Sequence, residues 1–122
     1  MSTIRPVFII DRFWPLVDGA SRTLGNLAIE LHKRDMPATF LTARWQDDWP
    51  RIVTFHDMRV HRLAAPPPPV DTFKARWAAA RYISKIAAWL RNNRELYDIV
   101  VVSGLRQEAY AAMTGIVSGA GV

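Results

Sequence analysis

Short, fully apolar runs that alternate with amphipathic helical stretches predict an α/β protein built on a parallel sheet. Three observations carry this. Val7-Phe8-Ile9-Ile10 and Ile99-Val100-Val101-Val102 are continuous apolar runs, as strands covered on both faces require. Each is followed by small residues at the start of a helical stretch, Gly19-Ala20-Ser21 and Ser103-Gly104. The intervening segments repeat apolar residues at helical spacing. The expected architecture is one Rossmann-like domain over residues 1–122, with helices on both faces of a sheet of order 3-2-1-4.

The first strand leads into a loop that Pro15 stiffens, and Asp18-Gly19 forms a turn-tolerant pair just before a helix, with Ser21 or Asp18 able to cap it. Leu24, Leu27, Ala28 and Leu31 then fall at i, i+3, i+4 and i+7, while Arg22, Asn26, Glu30, Lys33 and Arg34 lie off that stripe. A helix start after a buried strand, with Gly19, Ala20, Ser21 and a cation at Arg22, can receive an anionic group; the plainer reading is a turn and a cap. The second strand spans about Ala38 to Thr42. In the loop after it, Trp45 and Trp49 could stack on a sugar or base, or cover the edge of the core. Asp47-Asp48 lacks a third ligand and reads as a solvated turn, so no metal is assigned.

Ile52 to Phe55 and Met58 to Leu63 are β-prone runs separated by His56-Asp57, a hairpin before or within the third strand. On one continuous strand His56 and His61 would point to opposite faces. Pro66 to Pro69 is a polyproline spacer, with an SH3-type ligand as the alternative. A helix from about Asp71 to Asn93 follows. Phe73, Trp77, Ala80, Ile83, Ala87 and Leu90 form one apolar row and Ala79, Tyr82, Ile86 and Trp89 a second; Lys74, Arg81 and Lys85 make a basic stripe. If the first row rests on the sheet, the second must meet another helix, a partner chain or a membrane surface. After the last apolar run, Ser103-Gly104 leads into a helix from Leu105 to about Val117 that begins with Arg106.

Composition narrows the function classes. The chain has 122 residues, no cysteine and a net charge of +5, which excludes disulfides and thiolate zinc sites and favours anionic partners. No run reaches the length of a membrane span or a secretory signal, so a cytoplasmic, soluble chain is expected, with peripheral contact to the inner face of the membrane left open. The arginines are scattered rather than clustered with aromatics, which argues against nucleic acid. Gly-x-Gly-x-x-Gly, the lysine-bearing phosphate loop, a nucleophile elbow and the metalloprotease motif are absent, and no cofactor is implied.

Phe13, Pro15 and Gly19, then Leu27, Ala28 and Leu31, then Lys33 and Arg34, then Leu41 and Thr42, together form a pattern that resembles the first strand-loop-helix-strand of family 4 glycosyltransferases of the GT-B fold. Val60-His61-Arg62-Leu63 resembles that family's third strand. Ala20 stands where a second glycine is usual, Asp35-Met36 where Gly-His is usual, and Val101 and Ser103 where histidines are frequent, whereas Asp98 is retained. The Ala20 methyl crowds the space for a substrate near the backbone, and the Asp35-Met36 change touches only the helix end. The resemblance implies transfer of a sugar from a nucleotide-sugar donor to a sugar or lipid acceptor, with retention.

In a doubly wound sheet, ligands lie beyond the carboxyl ends of strands at the switch point, where both small-residue turns converge. Gly19, Ala20, Ser21, Arg22, Ser103, Gly104 and Arg106 are therefore the expected substrate-binding residues. The resemblance further implies a second Rossmann-like domain holding most of the donor contacts. The 122 residues are accordingly expected to cover an N-terminal, acceptor-side part that is inactive alone and self-associates. The alternative is a non-catalytic module that uses the same turns to bind a phosphorylated ligand or a protein.

Overall fold

A computed structural model describes residues 4–10, 13, 19–66 and 72–102. The elements run β1 (Pro6–Ile9), α1 (Gly19–Lys33), β2 (Thr39–Ala43), β3 (Ile52–Phe55), β4 (Met58–Ala64), α2 (Phe73–Asn92), a short 3-10 turn (Arg94–Leu96) and β5 (Ile99–Val102). They form a five-stranded sheet of order β3-β4-β2-β1-β5, in which only the β3–β4 pairing is antiparallel. The result is a Rossmann-like α/β arrangement. The fifth strand arises because the His56-Asp57 turn, with both residues at positive φ (47° and 66°), folds β3 back along β4 as a two-residue hairpin. His56 therefore sits in a turn and His61 in β4, not on one continuous strand.

Alternation along the strands sorts the core into two layers. Val7, Ile9, Leu41 and Ala43 face α2, where they pack with Tyr82, Ile86 and Leu90. Phe8, Ile10 and Phe40 face the opposite way, toward Leu24 and Ala28 of α1. There Phe40 stacks on Phe13 at 4.2 Å and on Phe8 at 5.5 Å between ring centroids, with Phe55 edge-on at 6.1 Å. Such a cluster supplies burial of about 1.5–3 kcal/mol per ring, plus geometry-specific pair terms.

α1 packs on the sheet with three of its four expected stripe residues, Leu24, Ala28 and Leu31, and α2 departs further from its expected face. In α1 the buried positions are Ser21, Leu24, Gly25 and Ala28, while Leu27 is 45% exposed. The bulk of Phe13 and Phe55 fills the space over Gly25, so the rings come from the partner side and the helix offers its small residues. In α2 both rows meet the sheet: Tyr82 and Ile86 of the second row and Ala87 and Leu90 of the first are buried, whereas Phe73 and Trp77 at the start of the first row are 84% and 72% exposed. The two rows adjoin, so spacing alone does not fix where along the helix each of them meets the sheet. Thr72 caps α2, its hydroxyl accepting from the Ala75 N–H. β5, expected to be buried on both faces, pairs among the described residues with β1 alone and is only half-covered, with Ile99 49% exposed.

α1 is closed two residues past Lys33 by Asp35 with φ 65°, where the Met36 N–H returns to the Leu31 carbonyl (2.9 Å) and the Asp35 N–H to that of His32 (3.2 Å). This is the left-handed closure that glycine favours, here adopted by an aspartate. At the amino edge of the sheet Arg5 donates to Asp98 through Nε (3.1 Å), Nη2 (3.2 Å) and its backbone N–H (2.9 Å), tying the entrance of β5 to that of β1. The same contacts hold the Asp98 carboxyl below its ordinary range.

Candidate rim site

The carboxyl ends of β1 and β5 lie side by side, in parallel register with Ile9 opposite Val102. β1 leads to α1 on one face of the sheet, and α2 on the other face delivers the chain to β5, so the direction of winding reverses between these two strands. Gly19 and Ala20 are the first two residues of α1, and the N–H groups of this first turn lack intrahelical acceptors. Among the described residues, an added Cβ at Gly19 would meet nothing within 4 Å. Arg22 is exposed. Ser21 is 1% exposed and sits inside the helix, which corrects its expected role as a cap; α1 starts two residues earlier. Asp18, the other expected cap, and Ser103, Gly104 and Arg106 lie outside the described residues, as do Pro67 to Pro69 and the helix from Leu105.

The other half of the rim, where β2 and β4 end, is built by the loop 44–51. The Arg44 N–H donates to the Ala64 carbonyl (2.8 Å), and the Arg62 N–H donates to the Arg51 carbonyl (2.7 Å), so both ends of the loop are tied to β4. Arg62, 3% exposed, donates from Nη1 to the Pro50 carbonyl (3.1 Å) and lies 4.6 Å from the Trp49 ring centroid. Burial lowers its pKa, yet a guanidinium remains charged throughout the accessible range. Trp45 packs against the α2-side core. Both loop tryptophans thus cover protein, which favours the core-edge reading over sugar stacking.

Between this loop and the first half of α2 lies a cleft of about 380 Å³ lined by Arg44, Arg51, Lys74 and Arg81, with Asp47 and Trp77. Sequence reasoning assigned Lys74 and Arg81 to a basic stripe and Trp77 to an apolar row, and did not join them to Arg44 and Arg51. The available signal was α2 itself, which carries five basic residues and no acidic one.

On β4 the His61 imidazole tilts against Trp89 of α2 at 5.3 Å, and burial followed by the Arg59 cation keeps its pKa below the ordinary value. Among the described residues there is no cluster of three or more His, Cys, Asp or Glu placed to hold a metal, and no helix long and apolar enough to cross a membrane. No protein-family profile and no curated protein matches the chain.

Proposed function

We propose that the chain is the acceptor-side, N-terminal part of a nucleotide-sugar-dependent glycosyltransferase of GT-B type. The observation that supports this reading is the order of elements: Gly19 opens the helix that follows β1, and β1 pairs in parallel with β5, where the winding of the sheet reverses. In that position the first-turn amides of Gly19, Ala20 and Ser21, with the Arg22 cation, suit donor phosphates. Ser103, Gly104 and Arg106 follow the neighbouring strand and would line the acceptor side. Transfer then requires a second Rossmann-like half to close over the rim and hold the nucleotide.

The reading frame past Val122 provides the first test. It is expected to encode a second αβ half bearing a Glu-x-x-x-x-x-x-x-Glu pattern, and its whole product is expected to transfer sugar from one member of a nucleotide-sugar panel. Arg22→Ala in that product should lower kcat/KM by about tenfold or more, the loss of one charge-assisted contact to phosphate. A frame without such a half, combined with calorimetric binding of nucleotide sugars by residues 1–122 alone, would overturn the reading in favour of a non-catalytic binding module.

A further inference from the structure

We propose that the cleft between loop 44–51 and α2 is a binding site for a phosphate ester, with Trp77 supporting the ring that bears it. It lies on the β2–β4 half of the rim rather than at the β1–β5 switch point, and it stands whether or not the chain transfers sugar. Among the described residues four cations, Arg44, Arg51, Lys74 and Arg81, share one cleft with a single carboxylate, Asp47. In a chain whose net charge is only +5 this is a local concentration of like charge. Such a grouping raises the energy of the empty protein and lowers that of a complex with an anion.

Among the described residues no ion pair neutralises these cations. The two ion pairs among the described residues, Arg5–Asp98 and Lys33–Glu30, use none of them. Arg44 directs Nη2 to the Asp47 carbonyl, and its buried Nε has no hydrogen-bond partner. Their backbone positions are set by the fold: Arg44 and Arg51 stand at the two ends of a loop tied to β4 by backbone bonds of 2.8 and 2.7 Å, and Lys74 and Arg81 are spaced two helical turns apart on α2. Three guanidinium forks and an ammonium match the several acceptor oxygens of a phosphate ester.

Trp77 gives the site its second requirement. It is 72% exposed one turn before Arg81, so its face is available beside the charge. An adjoining hollow of about 390 Å³ shares Trp77 and Arg81 and continues to Ser84 and Lys85. A ligand with a phosphate in the first cavity can therefore lay a sugar ring on Trp77 and extend along α2. The phosphate can belong to a soluble sugar phosphate or to a lipid headgroup.

Calorimetry of the 122-residue chain with glucose 1-phosphate and with inorganic pyrophosphate tests the soluble source. Sedimentation with phosphatidylcholine vesicles, with and without phosphatidic acid, tests the lipid source. Binding to either probe is expected to weaken about tenfold or more in Arg44→Gln and Arg81→Gln, and to remain unchanged in Arg34→Gln, which removes a charge outside the cleft. Trp77→Ala should weaken glucose 1-phosphate but not pyrophosphate. Far-UV circular dichroism checks folding of each variant. Lysine acetylation of the unmutated protein gives an independent readout: ligand should slow modification of Lys74 and leave Lys33 unchanged. Binding of soluble esters alone assigns a soluble ligand, and binding of acidic vesicles alone assigns a lipid phosphate. No binding of either probe, equal losses in Arg34→Gln, or equal protection of Lys33 and Lys74 would overturn the site.

Discussion

Tyr97→Phe removes one oxygen and nothing else, and its cost can be worked from the contacts. The Tyr97 hydroxyl donates to the Leu90 carbonyl at 2.8 Å, and the residue is 3% exposed. Leu90 lies in the last turn of α2, where no later N–H of the helix reaches its carbonyl. Losing the phenol therefore forfeits a bond worth about 0.5–1.5 kcal/mol net and leaves a buried acceptor unsatisfied, for about 1–3 kcal/mol in all. At this chain length about 3–5 °C of Tm is expected per kcal/mol. The ring's stacking on Trp89, 6.2 Å between centroids, survives the change, so the loss isolates the hydroxyl. Burial raises the Tyr97 pKa. The unfolded chain then ionises first, from about pH 10, and stability should fall as pH rises from there toward the folded pKa. Urea unfolding at neutral pH and above pH 10 measures both effects. A variant within about 0.3 kcal/mol of the parent at neutral pH, or one with the same alkaline loss, would refute the assignment of this bond.

Asp35→Gly should stabilise the protein by about 0.5–1 kcal/mol in urea titrations, because φ 65° is a conformation glycine adopts without penalty. Gly25→Ala should be neutral or stabilising by up to about 1 kcal/mol, since an added Cβ would sit 3.5 Å from the Phe13 ring and 3.6 Å from that of Phe55, ordinary contact distances. His61 is held below its ordinary pKa, so the unfolded chain binds the proton first and stability should fall as pH drops below about 6.5. His61→Phe should flatten that acid slope in thermal melts between neutral pH and pH 5, and an unchanged slope would assign it elsewhere.

The sheet was legible because a strand covered on both faces must be apolar throughout, and Val7 to Ile10 meets that requirement by itself. What periodicity left open was rotation. Leu27 belongs to the apolar stripe of α1 by spacing, yet it is exposed, while Leu24, Gly25 and Ala28 face the sheet and Phe13 and Phe55 fill the volume over Gly25. Similarly, α2 offers two adjacent apolar rows, and tertiary contacts bury Tyr82 and Ile86 of one with Ala87 and Leu90 of the other. The α1 half of the rim could be read from local order, strand then small residues then helix. The cleft could not, because Arg44 and Arg51 reach Lys74 and Arg81 only through the parallel pairing of β2 with β4 and the return of α2 over the sheet.

A buried arginine in a strand needs a reason, and the register of β4 supplies one. Thr42 pairs with Arg62 but Ala43 pairs with Ala64, so Leu63 is an extra residue at the carboxyl end of the strand. A bulge of this kind bends its strand and re-aims the neighbouring side chains. Its location is the rim, where Leu63 and Ala64 form part of the cleft wall and the Arg62 guanidinium lies over Trp49 and against the Pro50 carbonyl. Burying that charge carries a desolvation penalty, which its contacts with the loop offset. A loop of eight residues held only by its two ends would sample many shapes, and its flanking arginines would separate by repulsion. Arg62 adds contacts with Trp49 and Pro50 to its backbone bond with Arg51, so the β3 end of the loop is held at three successive residues, and the register slip next to Arg62 also shapes the wall of the cleft.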